Sequence, residues 1–392
     1  MKLATRVGKV KPSPTLAVTA RAAALRAQGK DVIGLGAGEP DFDTPDHIKQ
    51  AAIQAIHDGK TKYTPVDGTS ELKQAVLAKF ARDNRLEYTP EQVLVSCGGK
   101  QSFYNLCQAL LETGDEVIIP APYWVSYPDM VLLADATPVI VSAGAAQDFK
   151  ITPDQLAQAI TPNTRLLVLN SPSNPTGIAY GEAELAALGE VLAAHPQIMI
   201  ATDDMYEHIL WTEAPFCNIL NACPGLYDRT VVLNGVSKAY SMTGWRIGYA
   251  AGPAGLIKAM KKIQSQSTSN PASISQAAAV AALNGPQDCI GSMLAEFKQR
   301  HDFIVAALNR IDGIDCLPGN GTFYSFPDFS ALIERTDGIS NDVELAEYIL
   351  EQQEIAMVPG SAFGMPGHLR LSFATSMDNL QQAVERLNRL FS

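Results

Sequence analysis

No stretch of this chain is apolar for long enough to span a bilayer. The longest uninterrupted apolar run, residues 277–283, falls far short of the roughly 18 residues that such a span needs. The amino terminus carries Lys2, Arg6, Lys9 and Lys11 with no apolar stretch behind them, so the pattern of a secretory signal is missing and a cytoplasmic location is expected. Cysteine is sparse: six residues, at positions 97, 107, 217, 223, 289 and 316, with no C-x-x-C pair and no Cys/His cluster at metal-ligand spacing. That argues against a disulfide framework or a metal centre and predicts buried free thiols. Positive charge is in deficit as well, with 30 Lys and Arg against 41 Asp and Glu, a formal net charge of −11. Binding a nucleic-acid backbone rests on Lys and Arg neutralising phosphates, so that class is disfavoured, and an anionic ligand must find local positive charge. What remains, 46% hydrophobic and 18% charged over 392 residues, is an ordinary globular chain long enough for two domains.

The pattern that is present alternates. Helical spacing over 71–84, 100–112, 124–133 and 182–194 is interleaved with short apolar segments at 93–96, 116–120, 137–141, 165–170, 198–203, 231–233 and 247–251. Leu166-Leu167-Val168-Leu169 is apolar on both faces, as a strand covered by helices on both sides must be. An α/β fold with a doubly wound, mainly parallel sheet is therefore expected. Upstream, residues 46–59 carry helical spacing, with Thr44 placed to cap and Pro45 in the first turn. Downstream, a long helical pattern over 286–313 leads into strands at 322–326, 355–358 and 368–373, with helices over 342–352 and from 377 onward. These predict a smaller α+β unit.

Three glycine-bearing stretches imitate known motifs and fail them. Gly34-Leu35-Gly36-Ala37-Gly38 is followed by Pro40 where a dinucleotide fingerprint needs a helix; Gly98-Gly99-Lys100 lacks the upstream glycine and the Ser/Thr of a nucleotide P-loop. Gly235-Val236-Ser237 misses the second glycine of G-x-S-x-G, since Ala239 stands there. Other residues are candidates for chemistry, although position alone reads Lys238 as a solvated loop charge and the Gly98-Gly99 stretch as a generic strand-to-helix turn. Lys238 lies on the connection between two buried strands, eight residues before Arg246, and a lysine held deprotonated can condense with an aldehyde. Asp203 closes a strand and stands three residues before Tyr206, while its neighbour Asp204 faces the other way. The turn at Gly98-Gly99 offers backbone N–H groups at a helix start. Arg370 alternates with Leu369 and Leu371 and so points to one face, where a guanidinium suits bidentate capture of a carboxylate.

Ser237-Lys238-Ala239, then Gly244-Trp245-Arg246-Ile247-Gly248-Tyr249, resembles the Schiff-base lysine segment of the class I, fold-type I pyridoxal-phosphate aminotransferases, most nearly the bacterial aspartate aminotransferases. Asp203-x-x-Tyr206 and the run from Asn170 through Asn174 to Gly177 match the same family, and the resemblance extends from about Pro12 to the last helix. It implies a large cofactor-binding domain of the pyridoxal-phosphate-dependent transferase type over 46–294, and a small domain built from 1–45 and 295–392. It also implies pyridoxal 5′-phosphate as cofactor, a homodimer with shared active sites, and ping-pong transfer between an amino acid, aspartate or glutamate first, and a 2-oxo acid. An aromatic, prephenate or alanine preference stays open, as does a lyase reaction on the same fold, because fold and cofactor do not fix which bond breaks.

The resemblance also assigns residues. Lys238 would form the imine and move the proton. Asp203 would face the ring nitrogen, Asn174 and Tyr206 the phenolic oxygen, and Trp124 the ring face. Gly99, Lys100 and Arg246 would hold the phosphate, joined by Tyr63 from across the dimer interface. Arg370, Gly38, Trp124 and Asn174 would meet the substrate's α-carboxylate end. Lys100, helped by Lys11-Pro12-Ser13-Pro14-Thr15, would meet a distal carboxylate. One departure stands out: Gly235 occupies a position where some members carry a serine phosphate ligand, so that contact is expected to be absent or replaced by Ser237 or water.

Overall fold

The alternating segments build one seven-stranded sheet. The computed structural model describes residues 1–12 and 14–391. In spatial order the strands are Val93–Ser96, Gly248–Ala251, Thr230–Gly235, Met199–Asp203, Thr164–Asn170, Glu116–Ala121 and Thr137–Ser142. All pairings are parallel except those of Gly248–Ala251, which runs antiparallel to both of its neighbours. Period-two alternation sends Leu167, Leu169 and Val232 into one core and Leu166, Val168 and Leu233 into another on the opposite face. That two-sided burial is why these strands read as continuous apolar runs. Parallel register brings Asn170 level with Asp203, and Asp203 level with Leu233, so polar side chains gather at the carboxyl ends of three adjacent strands.

Most element boundaries fall within two or three residues of expectation. The helix after the first strand is Gly99–Leu110, and Ser126–Leu133 begins just past Trp124. The segment expected as one helix over 71–84 is α-helical over Ser70–Lys79 and ends in a π turn, Phe80–Asn84, closed by Arg85 at φ 55°. Thr44 does not cap helix Asp46–His57: Pro45 is the cap residue and no side chain accepts there. The Thr44 hydroxyl instead donates to the Ser241 carbonyl (2.7 Å) and accepts from the Trp245 indole (2.9 Å), tying this segment to the connection that bears Lys238. Three further helices were not anticipated: Pro14–Ala27 and Ser273–Asn284 carry little legible period, with small apolar residues nearly all round in the second, whereas Ala254–Ser265 does carry an apolar stripe through Ile257 and Met260.

The C-terminal region forms the second unit. Val358–Pro359, Leu369–Ser372 and Tyr324–Ser325 make a small antiparallel sheet, and Ile33–Gly34 pairs in parallel with Ile355–Ala356. Helix Asp288–Leu308 starts with Cys289 and Ile290 against the core of the large sheet and continues with Met293, Phe297, Ile304 and Leu308 inside a second core. All six cysteines are free thiols, and among the described residues no helix is long and apolar enough to cross a membrane.

Candidate active site

A cavity of about 460 Å³ opens at the carboxyl ends of the parallel strands, between the large sheet and the C-terminal unit. Lys238 reaches it from the connection after Thr230–Gly235, and its Nζ donates to the Gly38 carbonyl at 2.5 Å. Burial pushes this amine down to about 8, and the Arg370 guanidinium adds to the shift. A methyl group on Gly38 would stand 3.0 Å from the Tyr324 hydroxyl, so only glycine leaves that wall open.

Asp203 points into the same cavity, accepting from the Tyr127 hydroxyl at 2.6 Å and the Met205 amide at 3.3 Å. Burial raises its pKa although the Tyr127 bond opposes the shift. Asp204 turns away into the protein, where the Thr202 hydroxyl (2.6 Å) and the Asn218 amide donate to it. Asn170 staples the neighbouring strand ends together, donating to the Asp203 carbonyl (2.9 Å) and accepting from the Asn174 amide (2.9 Å). That bond holds the start of the 174–177 turn at the cavity wall. Tyr206 shares a hydroxyl–hydroxyl bond of 3.0 Å with Tyr324.

Arg370 is 2% exposed. Its guanidinium donates to Asn174 Oδ1 (3.0 Å) and the Gly36 carbonyl (2.7 Å), and lies 4.4 Å from the Tyr324 ring centre and 5.0 Å from that of Phe363. Among the described residues its Nε has no partner. A buried cation held by neutral acceptors alone is a site prepared for an anion.

The other end of the cavity is built from the strand–turn–helix unit. Gly98 precedes helix Gly99–Leu110 at φ 89°, a left-handed geometry that suits glycine, and leaves the first amides of the helix free to meet an anion. Arg246 sits beside this turn, itself left-handed at φ 57°, donating to the Thr243 carbonyl (2.9 Å) and the Cys97 carbonyl (3.4 Å). A side chain on Gly248 would overlap the Gly99 amide nitrogen. Lys100 lies with Nζ 5.1 Å from the Trp124 ring centre, its pKa lowered by desolvation and by Arg246.

The residues expected at the site line this one cavity except Tyr63, which is 92% exposed and stands outside it, and Lys11, Pro12 and Pro14, of which Lys11 and Pro14 line a second cavity instead. Thr15 lines the first, and Ser13 lies outside the described residues. A larger cavity of about 820 Å³ lies on the other side of helix Pro14–Ala27, but none of the acids and bases along its wall is buried.

The family profile for "Aminotransferase class I and II" matches residues 30–387. The chain belongs to the class I and II aminotransferases. A relative from Nitrosomonas europaea, an aspartate/prephenate aminotransferase, is 62% identical over the full length of both chains. The crystal structure of an aspartate aminotransferase from Rhizobium meliloti superposes with a TM-score of 0.96 at 49% identity, over 99% of this chain and 98% of that one. An aspartate aminotransferase from Thermus thermophilus with maleate gives 0.93 at 42% identity, covering both chains completely.

Sequence reasoning about this aminotransferase missed Tyr127, Tyr324 and Glu39, all on the cavity wall. Tyr127 lies one helical turn after Trp124, and their rings meet edge-to-face at 5.2 Å, so helical spacing held a signal. Tyr324 had none, because only the antiparallel register of Tyr324 with Ser372 carries it beside Arg370. The exchange of serine for Gly235 has a steric counterpart. A side chain there would stand 3.0 Å from Gly248 Cα and from the Ile247 carbonyl oxygen.

Proposed function

We propose that this aminotransferase holds pyridoxal 5′-phosphate in the 460 Å³ cavity and transfers an amino group between aspartate or glutamate and a 2-oxo acid, working as a homodimer in the cytoplasm. The observation that carries the reading is Arg370, a buried guanidinium with only neutral partners, lining the same cavity as the Lys238 amine. The large and small domains are taken as 46–294 and 1–45 with 295–392, which puts the cavity between them. Prephenate joins the acceptors on the strength of the name of the Nitrosomonas europaea relative.

The residues fit the cofactor. Asp203 is an enclosed carboxylate whose donors among the described residues are a tyrosine hydroxyl and a backbone amide, which suits it to face a protonated ring nitrogen. Asn174 and Tyr206 are placed for the phenolic oxygen and Trp124 for the ring face. The amides at Gly99 and Lys100, with the Arg246 guanidinium, would take the phosphate. Tyr63, exposed and outside its own cavity, is assigned to the partner's phosphate site. When bound, the cofactor supplies an electron sink at the substrate's α-carbon and carries the amino group between half-reactions. Arg370 fixes the substrate α-carboxylate, with Asn174 and the open wall at Gly38 beside it. Lys238 Nζ, half-neutral near pH 8, takes the proton at the substrate α-carbon. Lys100, at the mouth, offers a cation to a distal carboxylate.

Single-turnover conversion of the pyridoxamine-loaded enzyme with oxaloacetate, 2-oxoglutarate, pyruvate, phenylpyruvate and prephenate tests this reading. Oxaloacetate, 2-oxoglutarate and prephenate, the dicarboxylates of this panel, are expected to react fastest. A charge-assisted hydrogen bond is worth about 1.5–3 kcal/mol, so Lys100→Ala should lose roughly 10- to 150-fold in kcat/KM with aspartate and far less with a neutral amino acid. Equal losses on all substrates would remove Lys100 from substrate recognition and leave the acidic preference without its cation.

A further inference from the structure

Behind the cavity, on the protein side of the strands that carry its residues, lies a charged cluster with no part in the chemistry above. Lys79 ends helix Ser70–Lys79 at 1% exposure, and its Nζ donates to the Glu207 carboxylate and to Asn84 Oδ1 (2.7 Å). Glu207 Oε1 also accepts from Asn234 Nδ2 (2.8 Å), and Oε2 from Asn84 Nδ2 (2.6 Å). Asn234 Oδ1 in turn accepts from the Gly235 amide (2.7 Å). Glu207, Asn84 and Asn234 are all buried, at 5%, 3% and 2% exposure.

We propose that Lys79 and Glu207 are positioning residues that lock the segment bearing Asp203 and Tyr206 to the strand leading into Lys238. The inference rests on the proposed function for the roles of those three residues. Three observations carry it. First, Glu207 directly follows Tyr206, and Asn234 stands four residues before Lys238, so the cluster grips both working segments at their roots. Second, the backbone link between the two segments ends where the Asp204 amide donates to the Leu233 carbonyl at 2.9 Å; beyond that point the Asn234 amide on the Glu207 carboxylate continues it. Third, a buried ion pair adds little stability over apolar side chains of the same shape. Stability alone therefore does not account for a lysine and a glutamate here, whereas fixing two segments relative to each other does, since misplacement of about 1 Å costs on the order of 100-fold in rate.

The test uses the apolar pair Lys79→Met/Glu207→Leu, which removes the acceptor for Asn234, and, separately, Asn234→Ala, each in the full chain. Amide hydrogen exchange is read on the cofactor-free protein, and kcat and KM on the loaded enzyme. In the double variant, exchange over 204–209 and 235–239 should quicken at least about tenfold while 166–169 stays unchanged, and kcat should fall about 10- to 100-fold with KM held within about threefold. Asn234→Ala should loosen 235–239 alone. A folded double variant with wild-type exchange and kcat overturns the proposal. So does a uniform quickening across the sheet that tracks lost stability, the mark of a purely structural pair. If the double variant does not fold, Asn234→Ala decides: local loosening supports the lock, and unchanged or uniform exchange sinks it. Failure of the wild-type enzyme to transfer amino groups would be a separate result, against the reading of the cavity, and would leave the exchange pattern interpretable.

Discussion

At Lys238 the surroundings set the protonation state. An ordinary lysine titrates at 10.5, whereas burial, aided by Arg370, brings this one to about 8. Below pH 8 its Nζ carries a proton and cannot attack an aldehyde; above it the lone pair is free. Capture of added pyridoxal phosphate by the cofactor-free chain, followed by visible absorbance, should therefore rise to a plateau just above pH 8. A rate still climbing at pH 10 would contradict the environment described for this lysine. The linkage has the same sign: between about pH 8 and 10.5 the unfolded chain holds a proton that the folded chain has shed, so this group makes the fold more stable as pH rises through that window. Which residues were legible follows from how each is placed. Asp203 could be told from Asp204 because strand alternation and the step to Tyr206 are local rules, and the two carboxylates do point opposite ways. Tyr324 obeys no local rule, since it arrives by pairing across the small sheet.

The strand–turn–helix unit shows what glycine does at the scale of an element. Ser96 and Gly235 both lie level with Gly248, which leaves the Gly99 amide no room for a side chain on that strand. Restoring the serine that some relatives carry, Gly235→Ser, should therefore weaken the cofactor site rather than strengthen it. Equilibrium titration of the cofactor is expected to show about tenfold or greater loss of affinity, because a contact near 3.0 Å must be relieved by shifting the antiparallel strand. Tighter binding would show that the strand yields and that the hydroxyl reaches the phosphate. Most elements with a strong period or a two-sided apolar run were readable to within two or three residues, the periodic helix Ala254–Ser265 being the exception. Helix Ser273–Asn284 was not, because alanine on every side leaves no stripe to find. Thr44 misled because a threonine ahead of a proline at a helix start satisfies the capping rule, yet its hydroxyl is already engaged by Ser241 and Trp245.

For the whole molecule, Tyr63 is the residue that one chain leaves without a task. The loop around it is pinned from behind: Ser273 donates to the Lys60 carbonyl (2.7 Å), Gln276 to the Thr64 hydroxyl (3.0 Å), and the fully buried Gln264 to the Val66 carbonyl (2.7 Å). A fixed loop that projects a 92% exposed tyrosine fits delivery to a second copy. Mixing inactive Lys238→Ala protein with an inactive Tyr63 variant should restore activity in hybrid dimers, up to the level of one intact site in two. Absence of recovery after demonstrated subunit exchange would return Tyr63 to its own chain or to the bare surface. Such a contribution is invisible to any rule that treats the chain alone, as is the pairing of Ile33–Gly34 with Ile355–Ala356, which no local pattern in either segment marks. The single connection 236–247 bears Lys238 near one end and Arg246 near the other, between strands whose register is fixed. Under the proposed assignments it works as a ruler: the amine offered to an aldehyde and the cation offered to a phosphate are spaced by one uninterrupted piece of chain whose two ends are anchored in paired strands.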